Sequence, residues 1–482
     1  MKLQEMTALA RRLPEVEIKA LTANSQQVQA GSLFAALEGV HVDGRRFIPD
    51  AVERGAVAVL ARPGTEAPVP VIESEQPRLT LAQLAMAFYP GQPRVIAGVT
   101  GTNGKTSVAR FASQLWTALG CSAGSMGTLG AFAPGYEYAL KHTTPDPVEV
   151  HQVISSMAGM GATHLAMEVS SHGLSQYRAD GVNFSLAAFT NITRDHYDYH
   201  QSHAAYYAAK RRLFTQLLPR GGSVVICSDG PGADQAVADA KAAGRHPVTV
   251  GRKGDLLQLV SVAATASGLD VVVHALGETY RLALPLVGSF QADNALVAAG
   301  LVIESGYDPK DVLPQLETIS AAPGRMELAD VLTTDTGTAG VYVDYAHTPA
   351  AVTTVLEAIR PHTKGRVHVI IGAGGDRDKE KRAQMGAAAH QGADVVIITD
   401  DNPRSEDPAV IRKQVAAGAP GAKVIGDRRE AIFEAVQELA ANDTLVIAGK
   451  GHERGQTIAG VTYPFSDVDV ARAAVQHERL NA

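Results

Sequence analysis

Cysteine is scarce: only Cys121 and Cys227 occur in 482 residues, with neither CxxC nor metal-ligand spacing. A disulfide framework is thereby excluded, and a thiolate zinc site has no support. No uncharged apolar run reaches the ~18 residues that a membrane span requires. The opening segment MKLQEMTALARRLPEVE lacks both the apolar core and the small-residue cleavage site of a secretory leader. A soluble cytoplasmic protein without membrane insertion is the expectation. Basic residues are not in excess either, since 43 Lys+Arg stand against 50 Asp+Glu and leave a net charge of −7. No general attraction to nucleic acid or to an anionic membrane follows, so any bound phosphate must be held locally. Low-complexity tracts and repeats of about 20–50 residues are also missing.

What is present is the profile of a folded α/β protein, with 45% hydrophobic and 19% charged residues, 46 Gly and 24 Pro. At ~150 residues per domain the length suggests about three domains. Residues 1–90 read as a small α/β unit, with the β-like runs GSLFAALEG and GAVAVLA, closing at Tyr89-Pro90-Gly91-Gln92-Pro93. Residues 91–325 open on the apolar strand Val95–Val99 and alternate strands with helices as far as Pro323-Gly324-Arg325. Residues 326–482 hold five strand candidates, VYVDYA, RVHVIIGAGG, DVVIITDDN, KVIGD and TLVIAGKG, separated by helical patterns. This alternation predicts a mostly parallel sheet in the centre and a doubly wound, Rossmann-like sheet at the end.

The strongest local signal is the run from Gly98 to Ser107, GVTGTNGKTS, between the Val95–Val99 strand and a helix whose stripe is Val108, Phe111, Ala112, Leu115, Trp116 and Leu119. A strand, a glycine loop and a helix N-terminus together make an anion cradle. Backbone N–H groups of Gly101, Thr102, Asn103 and Gly104 face the phosphates, Lys105 adds charge, Thr106 can reach Mg²⁺, and Ser107 continues the loop. Nucleotide binding, with ATP as the phosphoryl donor, is the reading.

Phosphoryl transfer to a carboxylate needs divalent ions to screen two anions, which directs attention to oxygen and imidazole ligands at strand ends. Glu168 ends HLAMEV, and His196 follows FSLAAFTNI; a solvated carboxylate and a loop histidine are the plain alternatives. In HAAYYAAKRRLFTQLL, Lys210 falls inside the apolar stripe of Tyr206, Leu213, Phe214 and Leu217, while Arg211 and Arg212 take the wetter face. An inward lysine either snorkels or has a function. In the last third, polar residues gather at successive strand ends: Asp344, Gly372–Arg377, Asp400–Arg404 and Gly449–Glu453. Ligands bind a doubly wound sheet at that edge, so a second substrate is expected there. Taken alone, Asp401-Asn402-Pro403-Arg404 is also compatible with a simple turn.

The loop GTNGKT resembles that of the Mur ligase superfamily, which includes the peptidoglycan amino-acid-adding enzymes and folylpolyglutamate synthase. The resemblance extends over nearly the whole chain. It implies Mg²⁺ and ATP, the latter also contacted by Asn294, Arg325 and Asp344. It implies that Lys210, in YYAAKRRLF, is carbamylated and joins Thr106, Glu168 and His196 around the metal; Lys105, Glu168, His196 and Lys210 are the implied catalytic set. His142-Thr143-Thr144-Pro145, Glu168 to Leu174, Gln176 and Arg178 are similar to the tripeptide-forming members. That similarity makes His142, Thr143, Thr144, Ser170, Gln176 and Arg178 contacts of a muramyl-dipeptide arm. Ser25, Val40, His41 and Val42 resemble the uridine-diphosphate pocket. DNPR is similar to the motif of members that add meso-diaminopimelate rather than L-lysine, with Arg404 holding the distal carboxylate. Arg377, Asp401, Asn402, Pro403, Gly449 and Glu453 complete the implied amino-acid site.

The implied reaction is ATP-dependent ligation through an acyl phosphate, with closure of the third domain onto the second, in a monomer acting on small-molecule substrates. Two alternatives within the chemistry are a lysine-adding and a folate-adding ligase. From another class, a nucleotide-hydrolysing switch would explain the phosphate loop but leave the last strand-end cluster without a role.

Overall fold

The computed structural model describes residues 1–39, 42–265, 268–334 and 336–481. By compactness the chain falls into two units, Met1–Leu256 with Val297–Asp308, and Leu257–Leu296 with Pro309–Ala482.

In the first unit, Ala20–Thr22, Ser32–Ala35, Ala56–Ala61 and Val71–Glu73 form a parallel four-stranded sheet in that order. Side chains alternate between faces along each strand. Leu33, Ala58 and Leu60 therefore pack with Leu81 and Leu84 of the helix Pro77–Phe88, and Phe34, Val59 and Ala61 pack with Ile48 and Ala51 of the helix Ile48–Glu53. The chain then leaves the helix at Tyr89 and enters a larger sheet. Its parallel strands run in the spatial order His246–Gly251, Ser223–Cys227, Leu186–Phe189, Val95–Thr100, His164–Glu168, Ala123–Gly127. An antiparallel pair, Gly130–Ala133 and Tyr136–Tyr138, extends the last of them.

Register does the positioning. Thr100 pairs with Phe189, and Val99 with Glu168, so three neighbouring strands end level with one another. The segments that leave those ends are forced to meet, because parallel strands point all their carboxyl ends the same way. The helix Lys105–Ala118 returns from the central strand with Val108, Phe111, Ala112, Leu115 and Trp116 buried, as its periodicity predicts. The Trp116 indole N–H is satisfied by the Ser305 hydroxyl at 2.9 Å.

The second unit begins with an antiparallel meander, Leu257–Thr265, Gly268–Ala275 and Glu278–Leu284. Its main sheet has the order Glu327–Thr334, Gly337–Asp344, Thr444–Ala448, Val367–Ile371, Val395–Ile398, Lys423–Val424. All five predicted strands are present and parallel to one another. The helices Pro349–Ile359, Lys381–Gly392 and Pro408–Ala416 bury Leu356, Met385 and Val415 on one face of it. Arg428–Gln437 and Asp467–Asn481 bury Ile432, Val436, Val470 and Val475 on the other. The sheet is doubly wound, as expected. The antiparallel edge strand Glu327–Thr334, the meander and the hairpin Gly455–Ile458/Val461–Pro464 are additions to the expected pattern. Their half-solvated faces, with Val260, Leu328, Val461 and Tyr463 exposed, give no continuous apolar run.

Two local expectations are corrected. HAAYYAAKRRLFTQLL is an α-helix only over His203–Arg212 and continues as a π-turn over Leu213–Leu217. Arg212 is also not on a wet face: its guanidinium pairs with Asp180 at 3.0 Å and lies over the Tyr177 ring at 4.4 Å. Its counter-charge comes from a segment 32 residues earlier in the chain, which helical periodicity cannot anticipate.

Across the main sheet's end, Arg428 and Asp467 make a fully buried two-point ion pair, Nε to Oδ1 at 2.7 Å and NH2 to Oδ2 at 2.8 Å. Deleting one partner strands a buried charge, at a cost of about 3–5 kcal/mol. Asp467→Ala should lower the urea midpoint of the full-length protein sharply, and Arg428→Met in the same chain should restore much of it. An Asp467→Ala midpoint equal to wild type contradicts this account.

Candidate active site

The phosphate loop is shaped by two left-handed glycines. Gly101 has φ 150° and Gly104 has φ 88°, and a Cβ on Gly101 would lie 1.9 Å from the Thr190 hydroxyl. The loop is tied to the next strand end: the Asn103 N–H donates to Asn191 Oδ1 at 3.0 Å, and the Thr190 hydroxyl donates to the Asn103 carbonyl at 2.6 Å. Lys105 folds back over the loop, its Nζ donating to the carbonyls of Gly101 and Thr102 at 2.9 and 2.8 Å. Thr106, the second residue of the helix, donates to Glu168 Oε2 at 3.0 Å. Ser107 is buried beside it.

Glu168 is 2% exposed, yet every oxygen is engaged. The Thr128 N–H donates to Oε1 at 2.8 Å, the Thr128 hydroxyl to Oε2 at 3.2 Å, and the Thr144 hydroxyl to the main-chain carbonyl at 3.1 Å. Gly127 makes room for the carboxylate, because a Cβ there would stand 2.1 Å from Oε1. Thr128 and Gly127 were not among the expected site residues. The signal available was the turn GTLG directly after a strand.

Lys210 is 1% exposed and its Nζ donates to the Gly101 carbonyl at 2.6 Å, the same oxygen that Lys105 uses. Burial, then repulsion from Lys105, hold its pKa well below the ordinary lysine value, with Asp195 opposing. The Tyr206 ring lies 4.4 Å from that amine, and its hydroxyl is 3.3 Å from that of Thr102. Tyr206, read from sequence as core, thus belongs to the loop's wall. His196 sits in the left-handed region, φ 53°, with its ring 6.1 Å from that of Tyr206 and 4.9 Å from that of His172. Its Nε2 is 3.4 Å from the Asp195 carboxylate. Among the described residues no three His, Cys, Asp or Glu side chains are grouped to hold a metal ion. The oxygens of Thr106 and Glu168, buried and in contact, are the hard donor type that Mg²⁺ takes.

Thr144 links this centre to the expected substrate contacts. Its hydroxyl also accepts from the Ser170 N–H at 3.0 Å, and its carbonyl accepts from Arg178 NH1 at 2.9 Å. Arg178 NH2 donates to Gln176 Oε1 at 2.8 Å, and Gln176 donates to the Tyr199 hydroxyl at 3.0 Å. The Thr143 and Thr128 hydroxyls are 3.0 Å apart. Thr143, Thr144, Ser170, Gln176 and Arg178 therefore form one continuous network. His142 is exposed, as is Val42, and Ser25 is buried in a short 3-10 turn. Val40 and His41 lie outside the described residues.

In the second unit the strand ends converge as the parallel order requires. Asp344 accepts from the N–H groups of Met326 and Ala346, both at 2.8 Å; burial pushes its carboxyl up while Arg325 opposes. The Arg325 guanidinium lies 4.8 Å over the Tyr345 ring. Asn294 is buried, donating to Gln291 at 2.9 Å. At the neighbouring ends, Asn402 Nδ2 donates to Asp401 Oδ1 at 3.0 Å and to Glu453 Oε2 at 2.9 Å, while buried Lys450 donates to Asn402 Oδ1 and Glu453 Oε2, both at 3.2 Å. The sequence reading assigns only Gly449 and Glu453 of the Gly449–Glu453 segment; the structure adds Lys450, a lysine inside the same strand-end run. Gly449, φ 118°, admits Asp401, whose Oδ2 would lie 2.7 Å from a Cβ.

Pro403 is buried, and Arg404 follows in the left-handed region, φ 53°. The 455–464 hairpin braces it, Thr457 O accepting from the Arg404 N–H at 2.9 Å and the Ala459 N–H donating to Arg404 O at 2.7 Å. Its NH1 donates to the Gly375 carbonyl at 2.7 Å. Arg377 is exposed, donating to the Asp376 carbonyl at 3.3 Å.

A phosphate loop answered by a buried carboxylate in one unit, and a doubly wound sheet with a polar strand-end cluster in the other, are the parts that an ATP-dependent ligase requires. Three family models match in chain order: the catalytic domain of the Mur ligase family over residues 17–89, the Mur ligase middle domain over 99–302 and the Mur ligase glutamate ligase domain over 324–451. The chain belongs to the Mur ligase family. Among curated relatives, the UDP-N-acetylmuramoyl-L-alanyl-D-glutamate--2,6-diaminopimelate ligase of Brucella melitensis biotype 1 is 49% identical over 490 residues, spanning 100% of both chains. The ligase of the same name from Rhizobium meliloti is 50% identical over 462 residues, 95% of this chain and 94% of its own. A solved structure bearing that name superposes with a TM-score of 0.71 at 31% identity, covering 96% of this chain and 95% of that one.

Gly127→Ala should displace the Glu168 carboxylate and cut turnover by about two orders of magnitude or more, the scale of losing one preorganised charge contact. Ala at Gly159, at the end of the helix Pro147–Gly159, where φ is not left-handed and a Cβ would meet nothing within 4 Å, is the control for folding. Steady-state rates of both variants check it; equal rates contradict the placement of Glu168.

Proposed function

We propose that this chain adds meso-diaminopimelate to the γ-carboxylate of D-glutamate in UDP-N-acetylmuramoyl-L-alanyl-D-glutamate, with ATP cleaved to ADP and phosphate. This is a step of peptidoglycan synthesis in the cytoplasm, carried out by a monomer. Residues 1–90 hold the nucleotide end of the acceptor, 91–325 the ATP and 326–482 the amino acid. The observation that carries the reading is the loop Asp401–Arg404, in which Asn402 is clamped against the Asp401 and Glu453 carboxylates and Arg404, braced by the 455–464 hairpin, donates to the Gly375 carbonyl. That combination suits a distal end bearing both an ammonium and a carboxylate.

In the first step the γ-carboxylate attacks the terminal phosphorus of ATP. Lys105 and the loop N–H groups of Gly101 to Ser107 neutralise the oxygens, and Asn294, Arg325 and Asp344 complete the nucleotide's contacts. Thr143, Thr144, Ser170, Gln176 and Arg178, with His142, hold the dipeptide arm, and Ser25 with the 40–42 segment holds the uridine diphosphate. Magnesium, when bound, screens the phosphates from the incoming carboxylate. Thr106, Glu168, His196 and Lys210 would hold it. Lys210 suits that role only after losing its positive charge, and burial with repulsion from Lys105 lowers its pKa, which makes the amine easier to deprotonate than an exposed lysine. The nitrogen then adds to the carbon of CO₂ and releases a proton, which leaves an anionic carbamate. In the second step the diaminopimelate amine adds to the acyl phosphate and phosphate departs. Arg377, Arg404, Asp401, Asn402, Pro403, Gly449 and Glu453 fix the amino acid, so that much of the acceleration is positional.

Arg404 is half-buried and already donates to Gly375, so L-lysine does not strand a fully buried guanidinium. The penalty for the missing carboxylate is then about one to two decades, less than the loss of a sealed ion pair would give. Phosphate release with the muramyl dipeptide should favour diaminopimelate over L-lysine by about 10–100-fold in kcat/KM. Arg404→Ala should erase that preference while the KM for ATP holds. Equal use of the two amino acids by wild type would overturn the assignment. Separately, Lys210→Ala should lose most turnover and regain part of it with added acetate or bicarbonate; undiminished turnover in that variant removes the carbamate from the scheme.

A further inference from the structure

Arg382, the second residue of the helix Lys381–Gly392, is 0% exposed and belongs to none of the contacts assigned above. A guanidinium without water must be met by protein acceptors, and by a carboxylate above all. Glu406 supplies it. Arg382 NH2 and NH1 donate to Glu406 Oε1 and Oε2 at 2.9 and 3.0 Å, a two-point pair, and NH1 also donates to Gln414 Oε1 at 2.7 Å. Its NH2 reaches the Gly374 carbonyl at 3.2 Å. Glu406 in turn closes the turn that carries Arg404, its N–H donating to the Pro403 carbonyl at 3.1 Å. The buried charge therefore fixes where that turn sits.

The segment Gly374–Asp376 is drawn against the turn by the same carboxylate. The Asp376 N–H donates to Glu406 Oε1 at 2.7 Å, and the Gly375 N–H donates to the Asn402 carbonyl at 2.9 Å. Neither glycine has space for a side chain: a Cβ on Gly374 would lie 2.8 Å from Arg404 NH1, and one on Gly375 would lie 1.9 Å from the Pro403 carbonyl. Asp376 is engaged as well, accepting from the Ser405 hydroxyl at 2.6 Å and from the Ser405 N–H at 3.2 Å. Hydrogen bonds from Arg382 and then from the Asp376 N–H hold the Glu406 carboxyl down at about 2, so it is ionised at neutral pH. An ionised carboxylate two residues from Arg404 competes for its guanidinium unless another cation holds it. Arg404 NH1 donates to the Gly375 carbonyl rather than to that carboxylate.

We propose that Arg382 is a positioning residue for selection of the amino acid: by holding Glu406 at both oxygens it sets the Pro403–Glu406 turn and keeps that carboxylate away from Arg404, whose charge is then available to the distal carboxylate of the substrate. The inference rests on the function proposed above and deepens it. Arg382 acts through Glu406 and does not touch the substrate. Lys379, 3.5 Å from Glu406 Oε2, is no substitute, because its side chain is 65% exposed and a solvated ammonium is a weak partner.

Phosphate release by the full-length enzyme, with the muramyl dipeptide and either amino acid, tests this. Arg382→Met removes the charge and leaves a carboxylate that water reaches, since the Glu406 side chain is 17% exposed. It should lower kcat/KM for diaminopimelate about tenfold, mostly through KM, while kcat/KM for L-lysine and the KM for ATP hold. Arg382→Lys, which loses the two-point geometry, should fall between that variant and wild type. Lys379→Ala should match wild type. Arg382→Met combined with Glu406→Gln should recover part of the preference, because the competing charge is gone and the amide oxygen still accepts from the Asp376 N–H. Without substrates, amide hydrogen exchange over 402–406 should be about tenfold faster in Arg382→Met and unchanged over Val395–Ile398. A full preference retained in Arg382→Met, a double variant no more selective than the single one, or a lower Tm with both amino acids and ATP affected alike overturns the inference. A wild-type enzyme that does not use diaminopimelate refutes the proposed function instead. Exchange over 402–406 then still decides whether Arg382 holds the turn, and an unchanged rate in Arg382→Met overturns that too.

Discussion

The buried carboxylate of Glu168 is the constraint around which the first unit is organised. A charged group at 2% exposure survives only when its oxygens are hydrogen-bonded, and here Thr106 and Thr128 bond the carboxylate while Thr144 bonds the main-chain carbonyl of the same residue, from three separate segments. Each donor is thereby located. Thr106 fixes the start of the loop's helix, Thr128 fixes the turn after Ala123–Gly127, and Thr144 passes the arrangement on to Ser170 and Arg178. The absence of a side chain at Gly127 is as necessary as the presence of the threonines.

The two lysines of the loop illustrate how one geometry can impose different chemistry on the same residue type. Lys105 sits at the helix start, partly exposed, with two carbonyls for its ammonium. Lys210 comes from a helix that packs beneath the loop, shares the Gly101 carbonyl and has almost no solvent. Desolvation and like-charge repulsion act in the same direction on it, so its charged form is less favoured than that of an exposed lysine. The Tyr206 ring beside it is part of that environment rather than of a generic core.

In the second unit the corresponding role falls to a mixed cluster rather than to one carboxylate. Asn402 is oriented at both ends, its oxygen towards Lys450 and the Thr457 N–H and its nitrogen towards Asp401 and Glu453. The cluster is rigid because the strands beneath it are parallel and in register, Asp344 level with Ala448 and Ile371 with Ile398. The hairpin 455–464 then closes over Arg404 from the side.

Much of this was legible in the order of residues alone. Glycine loop, lysine and threonine between an apolar strand and an amphipathic helix specify an anion cradle because the chemistry is local, contained within a dozen consecutive residues. Five apolar runs separated by helical patterns specify a doubly wound sheet, since parallel pairing and right-handed crossovers leave few other arrangements. What only the tertiary structure decided are the partnerships between distant segments: Thr128 with Glu168, Arg212 with Asp180 against Tyr177, Lys450 with Asn402, and the hairpin with Arg404. Periodicity reports which face of an element is apolar, and nothing more. The residue a buried charge will meet depends on which element packs there, and on the space that a glycine leaves open for it.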